Sequence, residues 1–355
     1  MESYNIIAIN LGSTSTKVAY YKEDVCVYAD NILHGDEELS NFPTIWDQFE
    51  YRKQAILDWM NSNGIHIQDV AAVVTRGGHT EPVKGGTYRI TQKMLQQSKS
   101  EEYGNHATDL GLQLADYFSR FGPKAFTVDP PVTDEFEELA RYSGLPTIQR
   151  KSSFHVLNQR AVGMLYAKEI GKPYESLNLI GVHMGGGISV AVHKAGKLVD
   201  ANNAIDGDGP FSTNRCCSVP VGDLVKLCFS NNYSYAEIKK MLNGNGGLVA
   251  YVGESSVKNI EKRASEGDME CKVALDAMIY QIAKEIGADA TVVCGDVDAI
   301  FLTGGIAHSY YVVEEIKKRV SKIAPVVVYP GEYEMQALAL NALGALRGKV
   351  EIKEL

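Results

Sequence analysis

The chain has 355 residues, 45% of them hydrophobic and 22% charged, which is enough apolar content for a folded core and a length for about two domains. A formal net charge of −9 argues against an extended nucleic-acid surface while leaving room for a local basic pocket. No apolar run approaches the roughly 18 residues that span a bilayer, the acidic start Met1-Glu2-Ser3-Tyr4 is unlike a secretory leader, and six cysteines without a C-x-x-C pair fit thiols of a reducing cytoplasm.

Strands are expected over residues 4–10, 16–21 and 25–31. Pro43 is expected to open a helix reaching about residue 61, with Ile45, Trp46, Phe49, Ile56, Leu57 and Met60 on recurring faces. A short buried strand at 71–75 ends in Arg76-Gly77-Gly78-His79. A helix near 106–121 follows, then a strand at 125–128 that ends at Asp129-Pro130-Pro131. A helix near 154–170 leads into the second half. That half has strands at 178–183, 188–193 and 197–200, helices near 221–229, 235–242 and 271–287, and a strand at 299–303 with a turn at Gly304-Gly305. A helix to about residue 322, a strand at 326–329 and a helix at 335–346 close the chain. Strands separated by helices imply α/β layers. The expected domains are 1–150, completed by 335–355, and 151–334.

One glycine-rich hairpin signal occurs twice. Residues 6–20 read I-I-A-I-N-L-G-S-T-S-T-K-V-A-Y and residues 179–192 read L-I-G-V-H-M-G-G-G-I-S-V-A-V. Each is an apolar strand, a turn of small residues and a second apolar strand, a pattern expected of duplicated halves. Such turns leave backbone N–H groups open to an anion. Two of them facing each other across a cleft would hold a polyphosphate, which points to nucleotide-dependent phosphotransfer. In the first turn Asn10, Ser13 and Lys17 add an amide, a hydroxyl and a cation; in the second Gly185, Gly186 and Gly187 leave the backbone bare. The plain alternative for each is an ordinary β-hairpin.

Gly304, Gly305 and Ile306 follow a buried strand and open a helix, where a flat ring could lie on the backbone, or where the chain needs only a tight turn. Arg76 at a strand end and Arg215 in the Gly/Pro-rich 209–215 loop can fork onto a carboxylate or phosphate, or form surface ion pairs. His106, His155 and His183 lie near element ends, without the spacing of a metal-binding helix face. His155 stands at a helix start, where its ring could donate to an anion. Asp129 and either Glu332 or Glu334 are loop carboxylates of the kind that meet Mg²⁺ beside phosphate oxygens, unless they are solvated surface. The small neighbours Gly77 and Gly78 are expected to leave room near Arg76, and Asp206-Gly207-Asp208-Gly209 reads as a turn.

Taken in order, A-I-N-L-G-S-T-S-T-K, V-V-T-R-G-G, F-H-V-L-N-Q-R, H-M-G-G-G-I-S, D-G-D-G-P-F-S-T-N-R, L-T-G-G-I-A-H and Y-P-G-E-Y-E-M-Q-A-L-A resemble the butyrate kinase branch of the acetokinase family, within the acetate and sugar kinase, heat-shock chaperone and actin superfamily. The resemblance covers nearly the whole chain. It implies two duplicated ribonuclease H-like (actin-like) domains with a nucleotide cleft between them, the C-terminal one binding the nucleotide. It also implies ATP/ADP and Mg²⁺, a short-chain fatty acid or its acyl phosphate as substrate, and a homodimer or higher homo-oligomer in the cytoplasm, with no nucleic-acid or membrane partner. Carried over by motif, Arg76 would clamp the acceptor carboxylate, and Arg215 would contact the transferring phosphoryl group. His155 would donate to that group at the transition state. Asn10 with Ser13 and Lys17 behind it would contact phosphate. Asp129 and Glu332 or Glu334 would organise the metal. Gly185, Gly186 and Gly187 would cradle the nucleotide phosphates beside His183, and Gly304, Gly305 and Ile306 would border the adenosine. His106 and His183 would line the cleft.

Cys216-Cys217 after Arg215 departs from the family pattern, and glycine at 186, where acetate kinase has Asn, favours the butyrate kinase branch. A sugar kinase of the same superfamily would need a base to take a hydroxyl proton, a role open to Asp129. A non-catalytic nucleotide-gated protein would lack the carboxylate clamp.

Overall fold

The computed structural model describes residues 3–205 and 207–355, so Asp206 of the expected 206–209 turn lies outside the described residues. Two compact units form, one from residues up to Asp134 together with Tyr333–Leu355, the other from Glu135–Glu332.

The first unit opens with β1 (Asn5–Leu11), β2 (Ser15–Lys22) and β3 (Val25–Leu33), followed by α1 (Asp36–Leu39), α2 (Phe49–Ser62), β4 (Ala72–Thr75), β5 (Thr87–Arg89), α3 (Gln92–Ser100), α4 (Asp109–Ser119) and β6 (Lys124–Val128). The helix expected to open at Pro43 begins at Phe49. Thr44 donates through N–H and Oγ1 to Asp47 Oδ2, closing a turn, and a 3₁₀ segment at Trp46–Gln48 comes first. In β1, Ile7, Ile9 and Leu11 face a core shared with Ile56, Trp59 and Met60 of α2 and Leu110, Leu114 and Phe118 of α4. Strand alternation therefore sends Asn10 to the other face.

The second unit contains the exposed pair β7 (Tyr142–Leu145) and β8 (Ile148–Gln149), then α5 (Val156–Glu169), β9 (Leu179–Met184), β10 (Ile188–Lys194), β11 (Lys197–Ala201), α6 (Val221–Cys228), α7 (Tyr235–Leu242), α8 (Gly247–Val252), α9 (Val257–Ser265), α10 (Met269–Ala290), β12 (Ala299–Gly304), α11 (Tyr310–Val320) and β13 (Val326–Pro330). Residues 135–150, read from the sequence as the end of the first domain, hold to this unit. Arg160 donates to Glu135 Oε2 at 2.7 Å, Glu137 N–H to Val199 O at 2.9 Å, and Arg150 to Asp200 Oδ1 at 2.8 Å. On α10 the helical stripe Cys271, Leu275, Met278, Ile282 and Ile286 packs with Ile180, Val182, Ile188, Val190, Ile300 and Leu302 of the sheet. Gly181 and His183 of β9 therefore face the opposite side, under α5.

The chain returns to the first unit as α12 (Glu334–Leu346) and β14 (Ile352–Lys353), giving the sheet order β14-β5-β6-β4-β1-β2-β3. The second sheet runs β11-β10-β9-β12-β13. In both, three antiparallel strands are followed by two parallel ones, and the first sheet continues with β5 antiparallel to β6 and β14 parallel to β5. The repeated hairpins thus head two similar sheets, as expected of duplicated halves, in the ribonuclease H-like arrangement that the family resemblance implies. Among the described residues no helix is long and apolar enough to cross a membrane.

Candidate active site

In the first unit, β1 and β2 pair with Asn10 opposite Lys17 and Leu11 opposite Thr16, leaving Gly12, Ser13 and Thr14 to form the turn. On the Asn10 face, α12 begins. Asn10 Nδ2 donates to Glu334 Oε2 at 2.6 Å, and Arg76 Nη1 lies 3.5 Å from Glu334 Oε1. Thr75 pairs with Ile9, so one step along β4 sets Arg76 beside Asn10. The Nε of Arg76 is buried without a hydrogen-bond partner among the described residues, so the guanidinium keeps donor capacity for a ligand. Of the two acids left open by the sequence, Glu334 is 5% exposed in this cluster, whereas Glu332 is exposed. Asp129 lies just past β6, its Oδ1 accepting Gly86 N–H at 2.8 Å.

His106 does not open a helix. Its N–H donates to Asp109 Oδ2 at 2.8 Å, and Asp109 starts α4. Thr108 N–H donates to His106 Nδ1 at 3.2 Å, so Nε2 carries the proton toward Ser13 Oγ, 3.1 Å away. Burial, reinforced by His79 and Arg76, holds the His106 pKa below its ordinary value and keeps the ring neutral. The other Asp109 oxygen accepts from His79 N–H at 2.6 Å, pinning the turn that carries Arg76. Gly77 and Gly78 do not provide the acyl room expected of them. A Cβ on Gly77 would fall 1.8 Å from Thr108 O, and one on Gly78 would fall 2.5 Å from Leu112 Cδ1. Both are glycine because α4 lies directly on them.

In the second unit a cross-strand row runs Ser189, His183, Thr303 over β10, β9 and β12. The start of α5 caps it. His155 Nδ1 lies 3.0 Å from Ser189 Oγ, and its ring stacks on His183 at 3.8 Å between centroids and 11° between planes. Asn158 Nδ2 sits 2.9 Å from His183 Nδ1 and 3.3 Å from Thr303 Oγ1, while Thr303 donates to Gly331 O at 3.1 Å. An amide N–H directed at Nδ1 makes that nitrogen the acceptor, so the Nε2 of His183 carries the proton. Gln159 Nε2 donates to Gly181 O at 3.2 Å and Ser189 O at 3.1 Å, locking α5 onto the hairpin.

The 185–187 turn closes with Gly185 N–H donating to Gly187 O at 3.0 Å. A Cβ on Gly187 would fall 2.2 Å from Arg215 Nη1, so the guanidinium lies against the bare glycine. Ser212 Oγ donates to Gly186 O at 2.6 Å, and Arg215 donates to Ala204 O. The 243–249 segment braces this loop from behind. Gly244 N–H donates to Asn214 O at 2.8 Å and Leu248 N–H to Ser212 O at 3.0 Å, and a Cβ on Gly247 would fall 2.0 Å from Ser212 O. Gly304 (φ 87°) would place a Cβ 2.4 Å from Met184 O, whereas nothing lies within 4 Å of one on Gly186 or Gly305. Ile306 packs its side chain into the core and offers only backbone at that turn.

Beside the Arg215 loop, Arg150 bridges Asp200 Oδ1 at 2.8 Å and Asp208 Oδ2 at 2.9 Å. Glu285 and Asp289 stand one helical turn apart on α10. Burial raises the pKa of Asp200, Glu285 and Asp289, well above the carboxylate range for Asp289, whose Oδ2 has no hydrogen-bond partner among the described residues.

Residues 145–326 match the Acetokinase family. The chain is 48% identical over 352 residues to Butyrate kinase 1 of Clostridium acetobutylicum, covering 99% of both proteins. It is 47% identical over 350 residues to a probable butyrate kinase of Bacteroides thetaiotaomicron, covering 98% of this chain and 99% of that one. This chain belongs to the acetokinase family. It shares the fold of Porphyromonas gingivalis acetate kinase, with a TM-score of 0.77 at 18% identity over 94% of this chain and 98% of that one. Several of this acetokinase's structural contributors escape sequence reading: Asn158, Gln159, Ser189, Ser212, Thr303, Asp109, Arg52 and the 243–249 segment. Asn158, Gln159, Ser189, Ser212 and Thr303 lie inside the segments that carry the family resemblance without standing out individually, and the 243–249 segment shows as the Gly-rich run N-G-N-G-G.

Proposed function

We propose that this acetokinase transfers the γ-phosphoryl group of ATP to a short-chain fatty acid, butyrate or a branched relative, reversibly giving an acyl phosphate and ADP. Identity of 47–48% to butyrate kinases along the whole chain supports ATP as donor and a short-chain carboxylate as acceptor. The observation that carries the geometry is Arg215 held against Gly187 of a bare glycine turn, beside the stacked His155–His183 pair.

A carboxylate acceptor has a pKa near 4–5 and is ionised at neutral pH, so attack needs no general base. The protein's work is to neutralise charge and align two anions. Arg76, with an uncommitted Nε, clamps the acceptor carboxylate. Arg215 and His155 meet the charge spreading over the equatorial oxygens of the phosphoryl group in flight. Asn10, Ser13 and Lys17 contact the transferred phosphate. Gly185, Gly186 and Gly187 cradle the nucleotide phosphates, and the open face of Gly305, with the backbone of Gly304 and Ile306 beside it, borders the adenosine. Mg²⁺ suits the buried hard-oxygen donors Asp129 and Glu334, because it takes only one or two carboxylates with phosphate oxygens and water. It would neutralise phosphate charge; Glu334 is assigned in place of the exposed Glu332. Six free thiols support a cytoplasmic setting. Val221, Val225 and Phe229, exposed at i, i+4 and i+8 along and just past α6, support a homodimer or higher homo-oligomer.

The test is a hydroxamate assay with MgATP and straight and branched acids of two to six carbons. Acid-dependent hydroxamate, strongest for four- and five-carbon acids, is expected. ATP hydrolysis unaffected by any acid would contradict the reading.

A further inference from the structure

Arg52 lies within α2, yet it is 0% exposed. Its guanidinium is devoted to the first hairpin turn. Nη1 donates to Gly12 O at 3.1 Å, Ser15 O at 2.9 Å and Thr16 Oγ1 at 3.2 Å, Nη2 donates to Ser13 O at 2.8 Å, and Nε donates to Gln48 Oε1 at 2.9 Å. Three carbonyls of one turn thus converge on one buried cation.

Across a planar trans peptide, a carbonyl and the next residue's N–H point in opposite directions. Drawing the Gly12 and Ser13 carbonyls inward therefore turns the Ser13 and Thr14 N–H groups outward. Neither N–H meets an acceptor among the described residues, and both residues are exposed. Consecutive outward amides form an anion-binding nest. The Ser13 hydroxyl joins them: with His106 Nε2–H donating to Ser13 Oγ, the hydroxyl proton is free to point at a ligand. Burial lowers the Arg52 pKa to about 10, so the guanidinium stays charged at neutral pH and adds positive potential behind the nest.

We propose that Arg52 is the positioning residue of the phosphate turn: it touches no substrate, and it fixes the Ser13 and Thr14 amides toward the transferred phosphoryl group. This rests on the kinase reading above, and the test separates the two. Wild type, Arg52→Ala and Arg52→Lys are compared for hydroxamate formation from MgATP and butyrate, and for ADP binding by calorimetry. ADP lacks the transferred phosphoryl group, so its affinity is expected to stay within about twofold of wild type. Turnover is expected to fall about 100-fold in Arg52→Ala, the loss typical of an oxyanion-binding donor, and less in Arg52→Lys, whose ammonium keeps the charge but not the fork. Added guanidine at millimolar concentration is expected to restore Arg52→Ala at least in part and to leave wild type unchanged.

Turnover within threefold of wild type in a variant that binds ADP normally would overturn the proposal. So would parallel loss of ADP affinity and turnover in both variants, which would make Arg52 a folding determinant only. A wild-type chain that forms no hydroxamate would instead refute the kinase reading.

Discussion

In the first unit, the row across β2, β1 and the end of β4 reads Lys17, Asn10, Arg76, and the start of α12 sets the Glu334 carboxylate against it. In the second, the equivalent row across β10, β9 and β12 reads Ser189, His183, Thr303, and the start of α5 sets an imidazole and an amide there. The same strand order brings a helix N-terminus to the same face of the sheet in both. The side chains then differ: two cations and one carboxylate in one unit, hydroxyl, amide and imidazole groups in the other. The cation of the second unit comes from a loop, Arg215 against Gly187, and not from the strand row. A loop-borne arginine depends on its packing more than a strand-borne one does.

That dependence is open to attack. The largest expected effect is from Arg215→Ala, which should lower kcat by about 10³-fold or more if the guanidinium stabilises the transferring phosphoryl group; steady-state kinetics with MgATP and butyrate measure it. Gly187→Ala, which pushes a methyl to within 2.2 Å of Arg215 Nη1, should cost up to about 100-fold through misplacement alone. Gly287→Ala on α10, with nothing within 4 Å of the new Cβ, should stay within about twofold. Equal rates for the two alanine variants would show that the contact at Gly187 does not matter. On the first unit's side, Glu334→Gln should lower kcat/KM about tenfold, the order expected when a charged hydrogen bond is weakened, with the Mg²⁺ dependence of the rate shifted to higher concentration.

The smallest effect is on stability. Asp200, Glu285 and Asp289 have folded-state pKa values above their usual ones, so the folded chain holds more protons than the unfolded chain once pH exceeds the ordinary carboxylate range. Stability contributed by these groups is therefore present at acid pH and lost as pH rises through the folded pKa values. Asp289→Asn should raise Tm by a few degrees at pH 8, at about 2–4 °C per kcal/mol for domains of this size, and change it little at pH 4. Thermal melts at the two pH values check the sign.

Features set by neighbours in sequence were readable in advance. The two glycine hairpins, Arg76 at its strand end and the closing helix are local signals, and they stand where they were expected. Features set by distant packing were not readable. Arg52 looks like one of the surface cations of α2, and its partners in the hairpin turn lie 36–40 positions away. Gly77 and Gly78 look like space, and only the approach of α4 shows that the space is filled. The choice between Glu332 and Glu334 turned on where α12 starts. Asn158 and Gln159 look like the polar side of a helix, yet both are 0% exposed because that face covers His183 and Gly181.

The central claim of the proposed function is that Arg76 holds the acceptor and Arg215 the group in flight. The most direct measurement is the butyrate KM of Arg76→Ala beside that of Arg215→Ala, at saturating MgATP. The account predicts a KM raised about tenfold or more for Arg76→Ala, as for a lost charged hydrogen bond to substrate, and a near-normal KM with collapsed kcat for Arg215→Ala. Matching butyrate KM values in the two variants would contradict it.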